Sequence, residues 1–145
     1  MRMFKGTLVA GLLSLLATTP VLAAELEISD ARLRMLPGDR PGAGYFKLYN
    51  AGDEPAAVVG AETDAYASVE LHMSMEKDGM AMMHGVERFE VAPGETREFA
   101  PQGYHLMFMK PQQSLNVGDE VEVRLLLEGD ESVETTFEVV SPAAL

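Results

Sequence analysis

From residue 26 onward, the sequence is a succession of short segments in which apolar residues, mainly Val, Leu, Phe and Tyr, alternate with polar ones. Turn-forming pairs such as Asp78-Gly79 and Pro93-Gly94 separate these segments, and the region lacks the 3.6-residue apolar period of a helix. Nine segments fit strands: 26–35, 44–49, 56–60, 67–73, 82–91, 95–99, 104–109, 121–127 and 133–140. The pattern predicts an all-β fold, an antiparallel β-sandwich or Greek-key barrel.

The first 23 residues have a different pattern. Two basic residues precede an apolar run over 6–16, and Val-Leu-Ala at 21–23 supplies the small residues that a signal peptidase recognises. The run is shorter than the ~20 apolar residues that a membrane-spanning helix needs. We therefore expect 1–23 to be a cleaved secretory signal and 24–145 to form a single domain. Because no cysteine follows the signal to carry a lipid, we expect a soluble periplasmic protein without stable membrane insertion.

The composition excludes several classes of function. With 23 acidic and 11 basic residues, the chain has a formal charge of -12, which disfavours nucleic acid and anionic lipid as partners. The chain contains no cysteine, which suits an oxidising compartment and excludes thiolate metal centres and thiol catalysis. The spacing of Ser, His and acidic residues does not indicate a catalytic triad, so we do not expect an enzyme.

Methionine and histidine are concentrated in two short stretches. "LHMSMEKDGMAMMHG" (71–85) holds five of the ten methionines and two of the three histidines, and "YHLMFMK" (104–110) holds the third histidine and two more methionines. In a strand, successive side chains point to opposite faces. The alternation predicts that His72 points away from the core, and that His105, Met107 and Met109 share one face of their strand.

The spacing between these residues predicts that they meet. Ten residues separate His72 from Met83, with Asp78-Gly79 near their middle, so a hairpin returns Met83 beside His72 within one or two residues of register. Twenty-one residues separate Met83 from His105, centred on the turn at Gly94. Both excursions are expected to return His72, Met83, His105 and Met107 to one end of the domain.

Two imidazoles and two thioethers form a soft, uncharged donor set without a carboxylate. Such donors favour Cu(I) over zinc, calcium or magnesium. Zinc prefers thiolate or carboxylate to thioether, and a blue-copper electron carrier needs a cysteine ligand. A site without thiolate can also release Cu(I) to a stronger thiolate site. The donor set therefore predicts a Cu(I) site of the kind that a carrier requires.

His84 and the remaining methionines of the two stretches leave alternatives open. His84, Met73 and Met109 are secondary candidates for the same site, although His84 also fits a surface histidine and Met73 a core or rim position. The other methionines of the first stretch surround the hairpin turn and fit an exposed apolar patch. These are Met75, Met80 and Met82.

The motif resembles that of the PCuAC, or PCu(A)C, family of periplasmic copper chaperones. His72 is followed by Met73, and Met83, His105 and Met107 follow at the family's intervals; "PGAGYFKLYNAGDEP" and "PQGYHLMFM" are also similar to family segments. The resemblance implies a cupredoxin-like β-sandwich that binds Cu(I) through His72, Met83, His105 and Met107. It also implies delivery toward the CuA centre of cytochrome c oxidase, to the CuA-bearing subunit directly or with a Sco-type thiol protein.

Two other functions remain compatible with the sequence. One is a periplasmic copper-buffering or resistance protein that sequesters copper without a specific recipient. The other is a metal-free interaction sandwich whose methionines contact a partner. The chain ends in "VVSPAAL", without the His- and Met-rich tail through which some members of the family hold a second copper.

Overall fold

The computed structural model describes residues 25–145, so the predicted signal at 1–23 lies outside the described residues. Ten strands and one short 3-10 helix follow one another. The strands are β1 (Leu26–Arg34), β2 (Gly42–Asn50), β3 (Ala56–Glu62), β4 (Tyr66–Lys77), β5 (Met80–Gly85), β6 (Phe89–Val91), β7 (Thr96–Phe99), β8 (Tyr104–Pro111), β9 (Glu120–Leu127) and β10 (Glu131–Val140), and the helix is Pro142–Ala144. Among residues 25–145 there is no helix long and apolar enough to cross a membrane. The predicted all-β fold is confirmed.

Seven strands close into a barrel. The hydrogen-bonded order is β4-β8-β2-β1-β10-β9-β3, and β3 pairs again with β4 to complete the circuit. The other three strands lie at its margins, where β5 extends the sheet from β4, β6 pairs with β3, and β7 pairs with β2. Closure leaves the barrel strands without free edges, which protects them from pairing with other chains.

Two details differ from the antiparallel prediction. β1 and β10 run parallel where Arg32 to Arg34 pair with Glu138 to Val140, whereas the other strand pairs are antiparallel. The predicted strand 82–91 is two strands, because β5 pairs with β4 while β6 leaves this edge and pairs with β3. Between them, Val86 donates its N–H to the Leu71 carbonyl at 2.8 Å, after which the chain changes partners.

The core lies inside the barrel and consists of alternate residues of its strands. On β8, Leu106 and Phe108 are fully buried, and the Phe108 ring meets those of Tyr66 at 5.2 Å and Phe137 at 5.9 Å. Gly44 of β2 allows this packing, because a Cβ there would lie 2.6 Å from the Phe108 ring. The residues between the core positions of β8 therefore point to the outside of the barrel.

The β4–β5 hairpin extends beyond the end of the barrel. β8 begins at Tyr104, which lies opposite Met73, and the N–H of Ser74 still donates to the Gly103 carbonyl at 3.0 Å. The residues of β4 beyond Ser74 pair with β5 alone. Its two-residue turn has positive φ at Asp78 (53°) and Gly79 (75°). An Asp-Gly pair is well suited to this turn, whose twist matches that of the strands. The hairpin predicted from Asp78-Gly79 is confirmed.

Candidate metal centre

The outer face of three adjacent strands gathers the four residues of the predicted copper site. His72 of β4 lies directly opposite His105 of β8. Met107 lies opposite Glu70, two residues before His72, and Met83 of β5 lies opposite Ser74, two residues after it. Because directly paired residues point to the same side of a sheet, all four donors share one face. They follow a diagonal across β5, β4 and β8, with the histidines in the middle and one methionine on each side.

The two imidazole rings are close enough for one ion to contact both. Their centroids are 5.9 Å apart and their planes are inclined by 49°. A nitrogen ligand typically lies about 2 Å from its metal, so an ion between two rings at this separation can reach a nitrogen of each. Met83 is the most accessible of the four donors at 50% exposed, whereas His105 is only 4% exposed.

Hydrogen bonds leave one nitrogen free on each ring. His72 Nε2 donates to Glu70 Oε2 at 2.8 Å, while His72 Nδ1 is buried without a partner among the described residues. His105 Nδ1 donates to the Gly103 carbonyl at 3.3 Å, and within residues 25–145 its Nε2 has no hydrogen-bond partner. A partner on one nitrogen fixes the tautomer and leaves the lone pair of the other available to a metal. The free donors are therefore Nδ1 of His72 and Nε2 of His105.

The structure separates the secondary candidates from this set. His84 lies opposite Met73, and both point to the other face of the hairpin, away from His72. Met109 shares the outer face of β8 but lies opposite Ser68. It is four residues from His105 along the strand, whereas Met107 is two residues from it. Same-face residues are about 7 Å apart along a strand, so Met109 is at the far side of Met107 from the histidines.

Met75, Met80 and Met82 also lie on the face of the hairpin that points away from His72. They are 41%, 68% and 40% exposed, as expected for a surface patch around the turn. Their alternation with the outer-face residues follows from the uninterrupted register of the hairpin. A shift of one residue would have exchanged Met83 for His84, so the turn determines which of the two faces the histidine pair.

Glu70 is a part of the site that the sequence analysis missed. The four donors contain no carboxylate, yet this carboxylate contacts His72 directly. Its position two residues before His72 on the same strand places it on the same face, and that spacing is the signal that identifies it. A carboxylate here orients the ring and offsets part of the charge of a bound cation.

Replacing Glu70 with Gln should weaken Cu(I) binding by roughly 10–100-fold, the usual effect of losing a residue that orients a metal ligand. A competition titration against a chromophoric Cu(I) chelator measures the change. Glu76→Gln is the matched control, because Glu76 lies on the same strand and face but near the turn. Equal losses in both variants would show that net charge, and not the orientation of His72, is responsible.

His105 is surrounded by aromatic and charged side chains from the neighbouring strands. The Tyr45 ring of β2 lies 6.4 Å from it, and the Arg34 guanidinium of β1 lies 5.4 Å from the Tyr45 centroid. Burial lowers the pKa of His105, and its neighbours His72 and Arg34 lower it further, against the opposing effect of the hydrogen bond to the Gly103 carbonyl. The ring is therefore neutral, with its lone pair free, at neutral pH. Tyr45 and Arg34 come from distant parts of the chain, so local spacing gives no signal for them.

The lowered pKa of His105 predicts that the metal-free protein loses stability in mild acid. An unfolded histidine titrates near ~6.5, so below that pH the unfolded chain binds more protons than the folded one. The contribution of neutral His105 to stability is present above this pH and is lost as the pH falls toward the lowered folded pKa. Urea unfolding at pH 8 and pH 5.5 should show a larger loss for the wild type than for His105→Gln. Equal losses in the two proteins would show that His105 is not the group responsible for the loss of stability in acid.

The side chains present suit a soft metal and not a hard one. Within residues 25–145, no group of three or more His, Cys, Asp or Glu side chains is arranged to hold a metal ion. A centre at this end of the barrel therefore depends on the thioethers, which favour Cu(I).

Comparisons with known proteins give the family. The family model described as "Putative lipoprotein LpqE-like" matches residues 26–139. The putative lipoprotein Lxx21020 of Leifsonia xyli subsp. xyli (strain CTCB07) is 32% identical over 111 residues, 75% of this chain and 66% of that protein. The chain thus spans just under two thirds of the length of this curated relative.

Among the solved structures similar to this one are two with bound copper. The copper-bound PCuAC domain from PmoF2 aligns with a TM-score of 0.69 and 21% identity, over 83% of this chain and 97% of that domain. The solution structure of Cu(I)-bound DR1885 from Deinococcus radiodurans aligns with a TM-score of 0.62 and 27% identity, over 81% of this chain and 78% of that protein. The chain belongs to the LpqE-like family, which is the family of the PCuAC domains.

Proposed function

We propose that this protein is an exported, periplasmic copper chaperone. It holds one Cu(I) through His72, Met83, His105 and Met107 and passes the ion toward the CuA centre of cytochrome c oxidase. The recipient is the CuA-bearing subunit or a Sco-type thiol protein. The function is binding and transfer, and no catalytic step is part of it.

The pair of free imidazole nitrogens is the observation that carries the proposal. His72 Nδ1 is a buried nitrogen without a hydrogen-bond partner among the described residues, which is costly unless something occupies it. A cation held between His72 and His105 would satisfy it, and the diagonal register brings Met83 and Met107 to either side of the pair. Two nitrogen and two thioether donors without thiolate suit Cu(I).

The relative DR1885, whose structure was solved with Cu(I), supports the choice of metal. It is 27% identical to this chain and shares its fold over most of both chains.

The donor chemistry supports a direction of transfer. Thiolate is a softer, charged donor and binds Cu(I) more strongly than thioether or neutral imidazole. Met83 is half exposed, so it is the donor that an incoming thiolate can displace first, whereas His105 is buried. Cu(I) should therefore pass from this protein to a two-cysteine site and not in the reverse direction.

A transfer experiment tests the proposal. The Cu(I)-loaded protein, mixed with the soluble CuA-bearing domain of an oxidase subunit or with a Sco-type protein, should lose its copper to that recipient, whereas Zn(II) should not load the site. Failure to take up Cu(I), or equal affinity for Zn(II), would refute the site. In cells, deletion should lower oxidase activity most when copper is scarce. Unchanged oxidase together with sensitivity to excess copper would instead favour copper buffering.

A further inference from the structure

The second face of the β4–β5 hairpin carries a donor cluster that the proposed site does not use. The register places Met73 opposite His84 and Met75 opposite Met82. Directly paired residues point to the same side, and residues two apart on one strand do so as well. One histidine and three methionines therefore occupy the corners of a rectangle on the face that points away from His72.

Three of these four side chains are not needed to fill the core, whereas Met73 is half-buried opposite Tyr104 of β8. Beyond Ser74, β4 pairs with β5 alone, and Met75 and Met82 are 41% and 40% exposed. His84 is exposed, and its imidazole makes no hydrogen bond or ion pair within the described part of the chain. Exposed methionine contributes little to the stability of a two-stranded hairpin. A packing role therefore does not account for the three exposed members of the cluster.

The spacing of the cluster suits one ion. Paired Cβ atoms are about 5 Å apart and same-face neighbours about 7 Å apart, so the centre of the rectangle is roughly 4 Å from each Cβ. The methionine sulfur and the imidazole nitrogens extend beyond Cβ, and metal–ligand bonds add about 2.0–2.3 Å. An ion above the centre is therefore within reach of all four side chains.

We propose that Met73, Met75, Met82 and His84 form a second soft-metal site that takes Cu(I). Three thioethers and one imidazole are the donors that distinguish Cu(I) and Ag(I) from Zn(II). The next pair toward the turn is Lys77 with Met80. The positive charge of Lys77 repels a cation from the turn, so the ion lies at the end of the cluster nearer the barrel. This second site has one imidazole and lacks a counterpart of Glu70, so it binds more weakly than the first.

The two donor sets share no residue and lie on opposite faces of the same hairpin. Each is therefore removable without loss of the other, and the second site does not depend on the proposed function of the first.

Ag(I) binding followed by native mass spectrometry tests the second site. The wild type should bind two Ag(I), His84→Ala/Met82→Leu should bind one, and His72→Ala/His105→Ala should also bind one. Met80→Leu is the matched control, since it removes the most exposed methionine of the hairpin and should still bind two. In NMR spectra, the methyl signals of Met75 and Met82 should shift mainly with the second equivalent.

The outcomes separate the two sites. If the wild type binds a single ion and His72→Ala/His105→Ala binds none, the second site is refuted. The hairpin methionines are then a contact surface. If His84→Ala/Met82→Leu still binds two ions, the donor set proposed for the second site is refuted. A single ion that survives in His72→Ala/His105→Ala but not in the hairpin variant refutes the proposed function and supports this site.

Discussion

His105→Ala should raise the dissociation constant of the first Cu(I) by more than the ~100-fold that marks the upper range for residues that merely orient ligands. The variant removes one of two nitrogen donors and leaves His72 with two flexible thioethers. It also removes the ring that lies 5.9 Å from His72, so no second imidazole remains to share the ion. Competition with a Cu(I)-specific chelator at one equivalent of copper measures the loss.

Matched controls distinguish loss of a ligand from general damage. Met109→Leu changes a residue on the same strand and face as His105 but beyond Met107. It should leave the dissociation constant of the first Cu(I) unchanged. His72→Ala should match His105→Ala, and because His72 is the more exposed of the two, it disturbs the packing less. If Met109→Leu were as costly as either histidine variant, the register-based donor set would be wrong.

Local sequence patterns predict much of this site. The alternation of His105 and Met107 with Leu106 and Phe108 separates the donor side of β8 from its core side, as the pairing of His105 with His72 and of Met107 with Glu70 shows. Asp78-Gly79 predicts the hairpin, whose turn sets the register. These signals suffice because each acts over a few residues of one strand or one turn.

Long-range pairing is where prediction from the sequence stops. The stretch 82–91 alternates well enough for one strand, but its second part pairs with β3, which local pattern does not encode. The turn predicted at Gly94 is present, yet the strands beside it pair with β3 and β2 and not with each other. Tyr45 reaches His105 only because β2 lies beside β8.

Phe108→Ala should lower the free energy of unfolding by about 3–5 kcal/mol, the usual cost of removing a buried phenylalanine ring. The ring is fully buried between Tyr66 and Phe137, and the backbone at Gly44 is already close to it, so the surrounding barrel cannot easily fill the cavity. Urea unfolding of the metal-free protein measures the effect. Phe108→Leu, which keeps most of the apolar volume, should lose clearly less.

The same variant tests whether the two faces of β8 are separable. Phe108 points into the barrel and its neighbour Met107 points out, so the donor set should remain intact in the folded molecule. Ag(I) at 100 times the dissociation constant of the first site should then restore about 2.7 kcal/mol through that site, because an ion that binds only the folded state stabilises it by mass action. Adding His105→Ala should remove this increment and leave only the contribution of the second site. If Phe108→Ala alone abolished the increment, the copper face of β8 would depend on its core face, and alternation along the strand would not be enough to define the site.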